Sequence, residues 1–157
     1  MDAMVIDETA TDAICTEEFF HRTLVLERKR TERSGRPFLL VFIDIGDLLG
    51  DRVRPRDELV EDVASALVAS TRDTDVKGWY RRDMLLGIIC SEVTRATRDP
   101  VISKLKRRLS EHLDPQELKK IRIHLINYPD YEHRLDAASG KGVIPELQPE
   151  RKGMFYS

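Results

Sequence analysis

The pattern of hydrophobic and polar positions divides the chain into alternating helical and extended segments. Residues 38–45 form a continuous apolar run with aromatic and β-branched members, which predicts a strand covered on both faces. Residues 59–68 carry apolar side chains at helical spacing, which predicts a helix with one buried stripe. Residues 76–80 and 84–89 predict two short strands joined by a tight polar turn at 81–83. The apolar run at 38–45 is therefore the expected central strand of a single sheet.

A first helix is predicted ahead of the central strand. Thr16 is a capping hydroxyl followed by two glutamates, a combination that favours a helix start. The Ser-Gly-Arg-Pro sequence at 34–37 predicts the end of this helix. Between these two signals, Phe20, Leu24 and Val25 are expected to face the core, and the charged run that follows them is expected to face solvent.

A third helix and a last strand follow the hairpin. The helix is predicted to begin near Asp99 and Pro100 and to bury one apolar face. The segment 120–126 alternates between apolar and polar residues, which predicts a half-exposed strand. The order helix, strand, helix, hairpin, helix, strand predicts an α/β fold with a ferredoxin-like, mostly antiparallel central sheet flanked by helices.

The same pattern predicts one domain with two irregular ends. Residues 1–15 are small, acidic and without period, so they are expected to form a flexible lead-in. Residues 16–129 contain all the periodic segments and form the expected domain. Residues 130–157 contain several glycines and prolines and show no period, which predicts an irregular tail.

Composition and charge narrow the class of protein. The 26 basic and 28 acidic side chains give a net charge of −2, so no basic field attracts nucleic acid or anionic lipid. Cys15 and Cys90 are too few for a disulfide framework, which favours a cytoplasmic chain with reduced thiols. The acidic N-terminus is unlike a signal peptide, and no apolar run reaches membrane-spanning length. We therefore expect a cytoplasmic domain that neither binds nucleic acid nor inserts into a membrane.

Several short motifs occur in a specific order along the predicted elements. They are Ser34-Gly-Arg-Pro-Phe before the apolar strand, Asp44 at its end, Asp57 with Val63-Ala64, Arg72-x-x-Asp75, and Tyr80 before the hairpin turn. In their order and spacing, these motifs resemble the GGDEF family of diguanylate cyclases over about residues 16–129. The resemblance implies a nucleotidyl-cyclase-like sheet flanked by helices and a role in bacterial signal transduction.

The resemblance also implies a broken catalytic turn. In the family the turn reads Gly-Gly-Asp/Glu-Glu-Phe, because two residues without Cβ let the backbone approach the GTP phosphates closely. Here those two positions hold Arg81 and Arg82, the third keeps a carboxylate in Asp83, and the fourth becomes Met84. Met84 cannot act as a base or as a ligand of a hard metal ion. We therefore expect a degenerate domain with no cyclase activity and no catalytic residue.

Two carboxylates leave a metal site open as an alternative. Asp44 matches the metal-binding aspartate of the family and, together with Asp83, could hold a divalent ion through oxygen ligands. An acid that only caps the end of the strand is an equal alternative for Asp44. Gly46 replaces the second aspartate of the strand motif, and the loop leading to Asp57 lacks the guanine-reading asparagine that the family carries. We therefore assign no metal and no cofactor.

The product-binding motif of the family is intact. In the family, an Arg-x-x-Asp motif lies five residues before the catalytic turn, and Arg72 and Asp75 have this spacing to Arg81. An arginine fork can donate to guanine O6 and N7 or to a phosphate, and a carboxylate can accept from guanine N–H groups. The resemblance adds an arginine from the third helix, which matches either Arg107 or Arg108. The implied ligand is cyclic di-GMP.

Three functions of different classes remain open. In the first, the domain receives cyclic di-GMP at Arg72 and Asp75 and signals through an unidentified protein partner. In the second, the domain is a scaffold or a homodimerisation module, and Arg72 and Asp75 form only a surface ion pair. The third, a nucleotidyl cyclase or GTP-binding enzyme, is disfavoured because losing one preorganised electrostatic group already costs about 10²-fold in rate.

The resemblance further implies an incomplete sheet. Family members continue past the last matched strand with a helix and another strand, whereas residues 130–157 lack that pattern. An exposed sheet edge is therefore expected, and such an edge can accept a partner strand or a second copy of the chain.

Overall fold

The protein is built around one antiparallel sheet of four strands with helices on both of its faces. The computed structural model describes residues 9–94 and 96–129. The strands are β1 (Phe38–Asp44), β2 (Val76–Arg81), β3 (Leu85–Ser91) and β4 (Arg122–Tyr128). The helices are α1 (Glu17–Ser34), α2 (Gly46–Gly50), α3 (Arg56–Ser70), α4 (Arg98–His112) and α5 (Pro115–Leu118), preceded by a short 3-10 helix (Ala10–Ala13). The strand order β2-β3-β1-β4 confirms the predicted α/β class with an antiparallel, ferredoxin-like sheet.

The central strand is β1, as predicted, because it is hydrogen-bonded to β3 on one side and to β4 on the other. The pairing registers of β1 with β3 and β4 define two ends of the sheet. We call one of them the Ser91 end, where three paired residues meet: Phe38, Ser91 and Tyr128. We call the other the Asp44 end, where three more paired residues meet: Asp44, Leu85 and Arg122.

The side chains of β1 alternate between two layers of core. Every apolar side chain of this strand is at most 1% exposed, which explains why the run contains no polar position. The layer under α3 and α4 contains Leu39, Val41 and Ile43. The layer under α1 contains Phe38, Leu40 and Phe42.

Helix α1 begins and ends where the sequence predicts. The Thr16 side chain accepts a hydrogen bond from the Phe19 backbone N–H at 3.2 Å, and Gly35 ends the helix with a left-handed φ of 78°. The prediction that Val25 faces the core is wrong, since Val25 is 47% exposed. It follows the buried Leu24 by one residue, which turns its side chain about 100° away from the sheet.

The described part of the predicted flexible lead-in is docked on the domain. The backbone N–H groups of Ala10 and Thr11 donate to the Glu61 carboxylate at 2.7 and 3.1 Å. Cys15 exchanges two backbone hydrogen bonds with β2, at 2.9 and 3.0 Å. These contacts satisfy polar groups of the outer strand and of the lead-in together, so the packed domain begins before Thr16.

The predicted loop after β1 contains the short helix α2. Its Leu48 and Leu49 are 1% and 6% exposed and extend the core layer under α3. The Asp44 carboxylate accepts from the Gly46 backbone N–H at 2.9 Å, which starts this turn. Two apolar residues are too few to show a helical period, so the sequence pattern could not reveal this helix.

None of the described helices is long and apolar enough to cross a membrane. The first eight residues and the predicted tail at 130–157 lie outside the described residues. Within the described part of the chain, β4 is one edge of the sheet.

An ion-pair cluster joins the loop before α3 to α5. The Arg54 guanidinium donates to the Glu117 carboxylate at 2.9 and 3.3 Å and pairs with Asp62 at 2.7 Å. Glu117 is 7% exposed, and its hydrogen bond with Arg54 lowers the pKa of its carboxyl below the ordinary value of 4.5. A carboxyl whose pKa is lowered in the folded state adds stability above its unfolded pKa and loses it as the pH falls.

The variant Glu117→Gln is expected to lower the free energy of unfolding by about 1–2 kcal/mol at neutral pH, because it loses the charged acceptor of Arg54. The difference from the wild type is expected to shrink below about pH 4, where the wild-type carboxyl gains a proton. Urea unfolding of both proteins at neutral and acidic pH measures this difference in the free energy of unfolding. A difference that stays constant with pH would show that the charge of Glu117 contributes nothing.

Candidate functional site

The Arg-x-x-Asp motif forms a closed turn between α3 and β2. The Asp75 carboxylate accepts from the Arg72 backbone N–H at 2.9 Å and from the Arg72 guanidinium at 3.1 Å. In return, the Asp75 backbone N–H donates to the Arg72 carbonyl at 3.0 Å. Asp75 is only 6% exposed. The two residues therefore form a hydrogen-bonded turn, which is more ordered than an ion pair between two exposed side chains.

The Arg72 side chain is fixed along one side and open along the other. Its Nη2 donates to Asp75 and also to the Ser91 carbonyl, the latter at 2.9 Å. Its Nε and Nη1 have no hydrogen-bond partner among the described residues, and the side chain is 59% exposed. Because the guanidinium is planar and rigid, anchoring Nη2 also fixes the direction of the free N–H groups.

The surroundings of the turn keep Arg72 charged. Its hydrogen bond and charge interaction with Asp75 raise the pKa of the Arg72 guanidinium above its ordinary value. Burial, with a contribution from Asp75, raises the pKa of the neighbouring Cys90 thiol to about 12. Arg72 is therefore a permanent cation, and Cys90 stays a protonated core residue.

Arg107 and Arg108 lie further along α4 from the Ser91 end than its first residue does. Helix α4 follows β3 at the Ser91 end and leads towards β4 at the Asp44 end. Its first residue, Arg98, is held at the Ser91 end by a 3.1 Å hydrogen bond to Asn127. Arg107 follows nine residues later, about 14 Å along the helix, and Arg108 forms an ion pair within α4. Among the described residues neither arginine forms a hydrogen bond or ion pair with Arg72, and their part in the site stays a prediction.

The hairpin turn that replaces the catalytic turn is held by the chain's own charges. Asp83 has a left-handed φ of 64°, and its carboxylate pairs with Arg56 from the start of α3 and lies 3.8 Å from Nε of Arg82. The Arg82 backbone N–H donates to the Glu17 carboxylate at 3.2 Å. Met84 is 36% exposed beside this pair. The one carboxylate that the turn retains is therefore neutralised by arginines.

The two carboxylates considered for a metal site have separate structural roles. Asp44 accepts from the Gly46 N–H at the start of α2, and Asp83 pairs with Arg56. No group of three or more His, Cys, Asp or Glu residues that could hold a metal ion occurs within 9–94 and 96–129. The Arg56 guanidinium, which is paired with Asp83, would also repel a metal cation at that carboxylate. This donor set does not fit a divalent ion, and the geometry favours the capping alternative for Asp44.

A cleft of about 400 Å³ lies beside the hairpin turn, between α3, β2 and the 3-10 helix. Trp79 and Ile14 contribute apolar lining, and Arg56, Asp83 and Glu61 are among its charged lining residues. Arg56 and Asp83 are paired with each other. Because this charge is compensated within the cleft, its lining does not favour a triphosphate.

Comparisons with known proteins find similarity in structure but not in sequence. No protein-family model matches the sequence, and no curated protein is significantly similar to it. The GGDEF domain of FimX from Pseudomonas aeruginosa superposes with a TM-score of 0.60 at 14% identity, over 82% of this chain and 91% of that one. The GGDEF domain of DgcB from Caulobacter crescentus, in complex with c-di-GMP, has a TM-score of 0.59 at 14% identity, over 89% and 87%.

A third similar structure is the diguanylate cyclase SiaD from Pseudomonas aeruginosa, in complex with its activator SiaC. It superposes with a TM-score of 0.59 at 14% identity, and the match covers 89% of this chain and 56% of SiaD. The chain therefore has the fold of the GGDEF domain, which confirms the predicted resemblance to such a domain. Identity this low establishes the fold alone, so the chemistry of the site must be argued from its own residues.

Sequence reasoning missed the residues that surround Arg72. The Ser91 carbonyl, which anchors the guanidinium, is a backbone group and has no sequence signal. Arg36 and Glu92, which form an ion pair 3.4 Å apart at the same end of the sheet, are 56 residues apart in the chain. Only the register of β1 and β3 brings them together.

Proposed function

We propose that this domain is a catalytically inactive receptor for cyclic di-GMP, which binds the ligand at Arg72 and signals by protein contact. One observation carries the proposal: the Arg72 guanidinium is anchored by Asp75 and Ser91 while the side chain stays 59% exposed. An anchored fork loses less entropy when it binds than a free arginine side chain does.

The chemistry of the ligand suits this fork. Guanine presents O6 and N7 as two adjacent acceptors, and a phosphodiester presents two anionic oxygens; both match a guanidinium. Asp75 is buried and already accepts two hydrogen bonds from Arg72. In this proposal Asp75 therefore positions Arg72, and Arg72 makes the contact with the ligand. This differs from the expectation that both residues contact guanine.

The proposal includes the loss of cyclase activity. Arg81 and Arg82 occupy the positions where two residues without Cβ are needed for close approach of phosphates. Met84 supplies no carboxylate, and the remaining Asp83 is paired with Arg56. Positioning and electrostatic contributions are thus lost together, and each is worth about 10²-fold or more in rate.

Calorimetric titration of cyclic di-GMP into nucleotide-free protein tests the proposal. The wild type is expected to bind with micromolar or tighter affinity, and Arg72→Ala is expected to bind at least about ten-fold more weakly, because the charged fork is gone. GTP with Mg²⁺ is expected to give no cyclic di-GMP product. Thermal unfolding of each variant shows whether the fold is kept.

Arg22→Ala is the matched control, since it removes an exposed arginine about three turns before α1 ends near the Ser91 end. Its affinity for cyclic di-GMP is expected to equal that of the wild type. Equal weakening by Arg22→Ala and Arg72→Ala would contradict a site at Arg72, and turnover of GTP would contradict the loss of activity.

A scaffold without a nucleotide is the second candidate. The observation that favours the scaffold is that both oxygens of the Asp75 carboxylate accept hydrogen bonds from Arg72. The motif therefore has a structural role in the turn without any ligand. The complex of SiaD with an activator protein is a precedent for protein contact by a protein with this fold. This candidate predicts no heat with cyclic di-GMP and a protein partner or second copy that binds Arg72→Ala unchanged.

A further inference from the structure

Two arginines from distant parts of the chain converge on one pair of residues at the Ser91 end. Arg72 donates to the Ser91 carbonyl at 2.9 Å, and Arg36 lies 3.4 Å from the carboxylate of the next residue, Glu92. The Glu92 backbone N–H donates to the Pro37 carbonyl at 2.9 Å, which fixes the position of Glu92 beside Arg36. One carboxylate is therefore placed within the electrostatic reach of two guanidinium groups.

Glu92 stands in an unfavourable backbone conformation. Its φ of 61° is left-handed, a region that glycine and asparagine adopt far more readily than glutamate. Strained residues that persist without a packing reason are a basis for proposing a function. Glu92 is exposed, and its side chain keeps 66% of its accessible surface, so packing does not explain it.

The contact between Arg36 and Glu92 is easy to break. Their side chains are 71% and 66% exposed, and exposed ion pairs contribute little to stability. A phosphodiester can replace the Glu92 carboxylate, because both are anions with two acceptor oxygens that match a guanidinium fork. The charge of Glu92 also acts on Arg72 and contributes to the raised pKa of that guanidinium.

We propose that Glu92 is an internal competitor of the ligand: its carboxylate holds Arg36 at the Ser91 end, the end of the sheet that also carries Arg72, until an anionic phosphodiester displaces it and binds both arginines. This inference rests on the proposed function and extends it, since it assigns Arg36 as a second ligand-binding residue and Glu92 as the group that sets the affinity.

Titration of cyclic di-GMP into Glu92→Gln and Arg36→Gln tests the inference. Glu92→Gln keeps the shape of the side chain and removes its charge, so it is expected to bind about three-fold more tightly than the wild type. Arg36→Gln is expected to bind about three-fold more weakly. Glu111→Gln removes an equal charge from the distant part of α4, and its affinity is expected to stay unchanged because salt screens that distance.

The outcomes separate this inference from the proposed function. If the wild type binds cyclic di-GMP and both Glu92→Gln and Arg36→Gln bind it with the same affinity, the inference is overturned and the Arg72 site is kept. Tighter binding by Glu92→Gln and Glu111→Gln alike also overturns it, because the effect is then one of net charge. No binding by any of these proteins overturns the inference together with the proposed function.

Discussion

Replacing Gly87 with alanine is expected to lower the free energy of unfolding by about 2–3 kcal/mol. Gly87 of β3 lies opposite Gly78 of β2, and the Phe20 ring from α1 lies over this pair of glycines. A Cβ on Gly87 would come within 2.5 and 2.8 Å of two ring carbons. Phe20 is fully buried and has no free space to move into. Urea unfolding measures the loss.

Gly50→Ala is the matched control for this prediction. A Cβ at Gly50 meets no atom within 4 Å, so the same added methyl group is expected to leave stability unchanged or slightly raised. An unchanged free energy of unfolding in Gly87→Ala would mean that the Phe20 ring of α1 does not pack against Gly87, which would contradict the packing of α1 on the sheet.

Replacing Asp75 with alanine is expected to cost about 2–3 kcal/mol of stability and most of the affinity for cyclic di-GMP. The variant leaves the Arg72 backbone N–H without its acceptor and releases the guanidinium from one of its two anchors. A hydrogen bond to a charged acceptor is worth about 1.5–3 kcal/mol, and an unanchored side chain must be ordered by the ligand. Thermal unfolding and calorimetric titration on the same preparation measure both effects.

Asp73→Ala controls for the loss of a carboxylate from the same loop. Asp73 is exposed, so its removal is expected to change neither stability nor affinity by more than about 0.5 kcal/mol. A stable Asp75→Ala that binds cyclic di-GMP like the wild type would contradict the positioning role of Asp75, because Arg72 would then need no orientation.

The sequence predicts most of the fold because its signals are local. Apolar periodicity identifies β1 and α3, and the Thr16 cap and Gly35 mark the ends of α1. The docking of residues 9–15 could not be predicted, because it depends on long-range hydrogen bonds to Glu61 and to the edge of β2. Such contacts exist only after the sheet has formed.

The sequence predicts the turn of the candidate site but not its surroundings. The spacing of Arg72 and Asp75 indicates a local pair, and the structure pairs them. The hydrogen bond from Arg98 of α4 to Asn127 of β4, which holds the start of α4 at the Ser91 end, could not be predicted from the spacing of these residues. Side chains that meet through tertiary packing have no local pattern to reveal them.

Titration of cyclic di-GMP into the wild type and Arg72→Lys in parallel tests the site at Arg72 most directly. Arg72→Lys keeps a cation beside Asp75, so the fold is expected to persist, but it loses the planar fork that can bind guanine or phosphate with two hydrogen bonds. A cyclic di-GMP site at Arg72 predicts micromolar or tighter binding by the wild type and binding at least about ten-fold weaker by Arg72→Lys. Equal affinities, or no binding by the wild type, would contradict it.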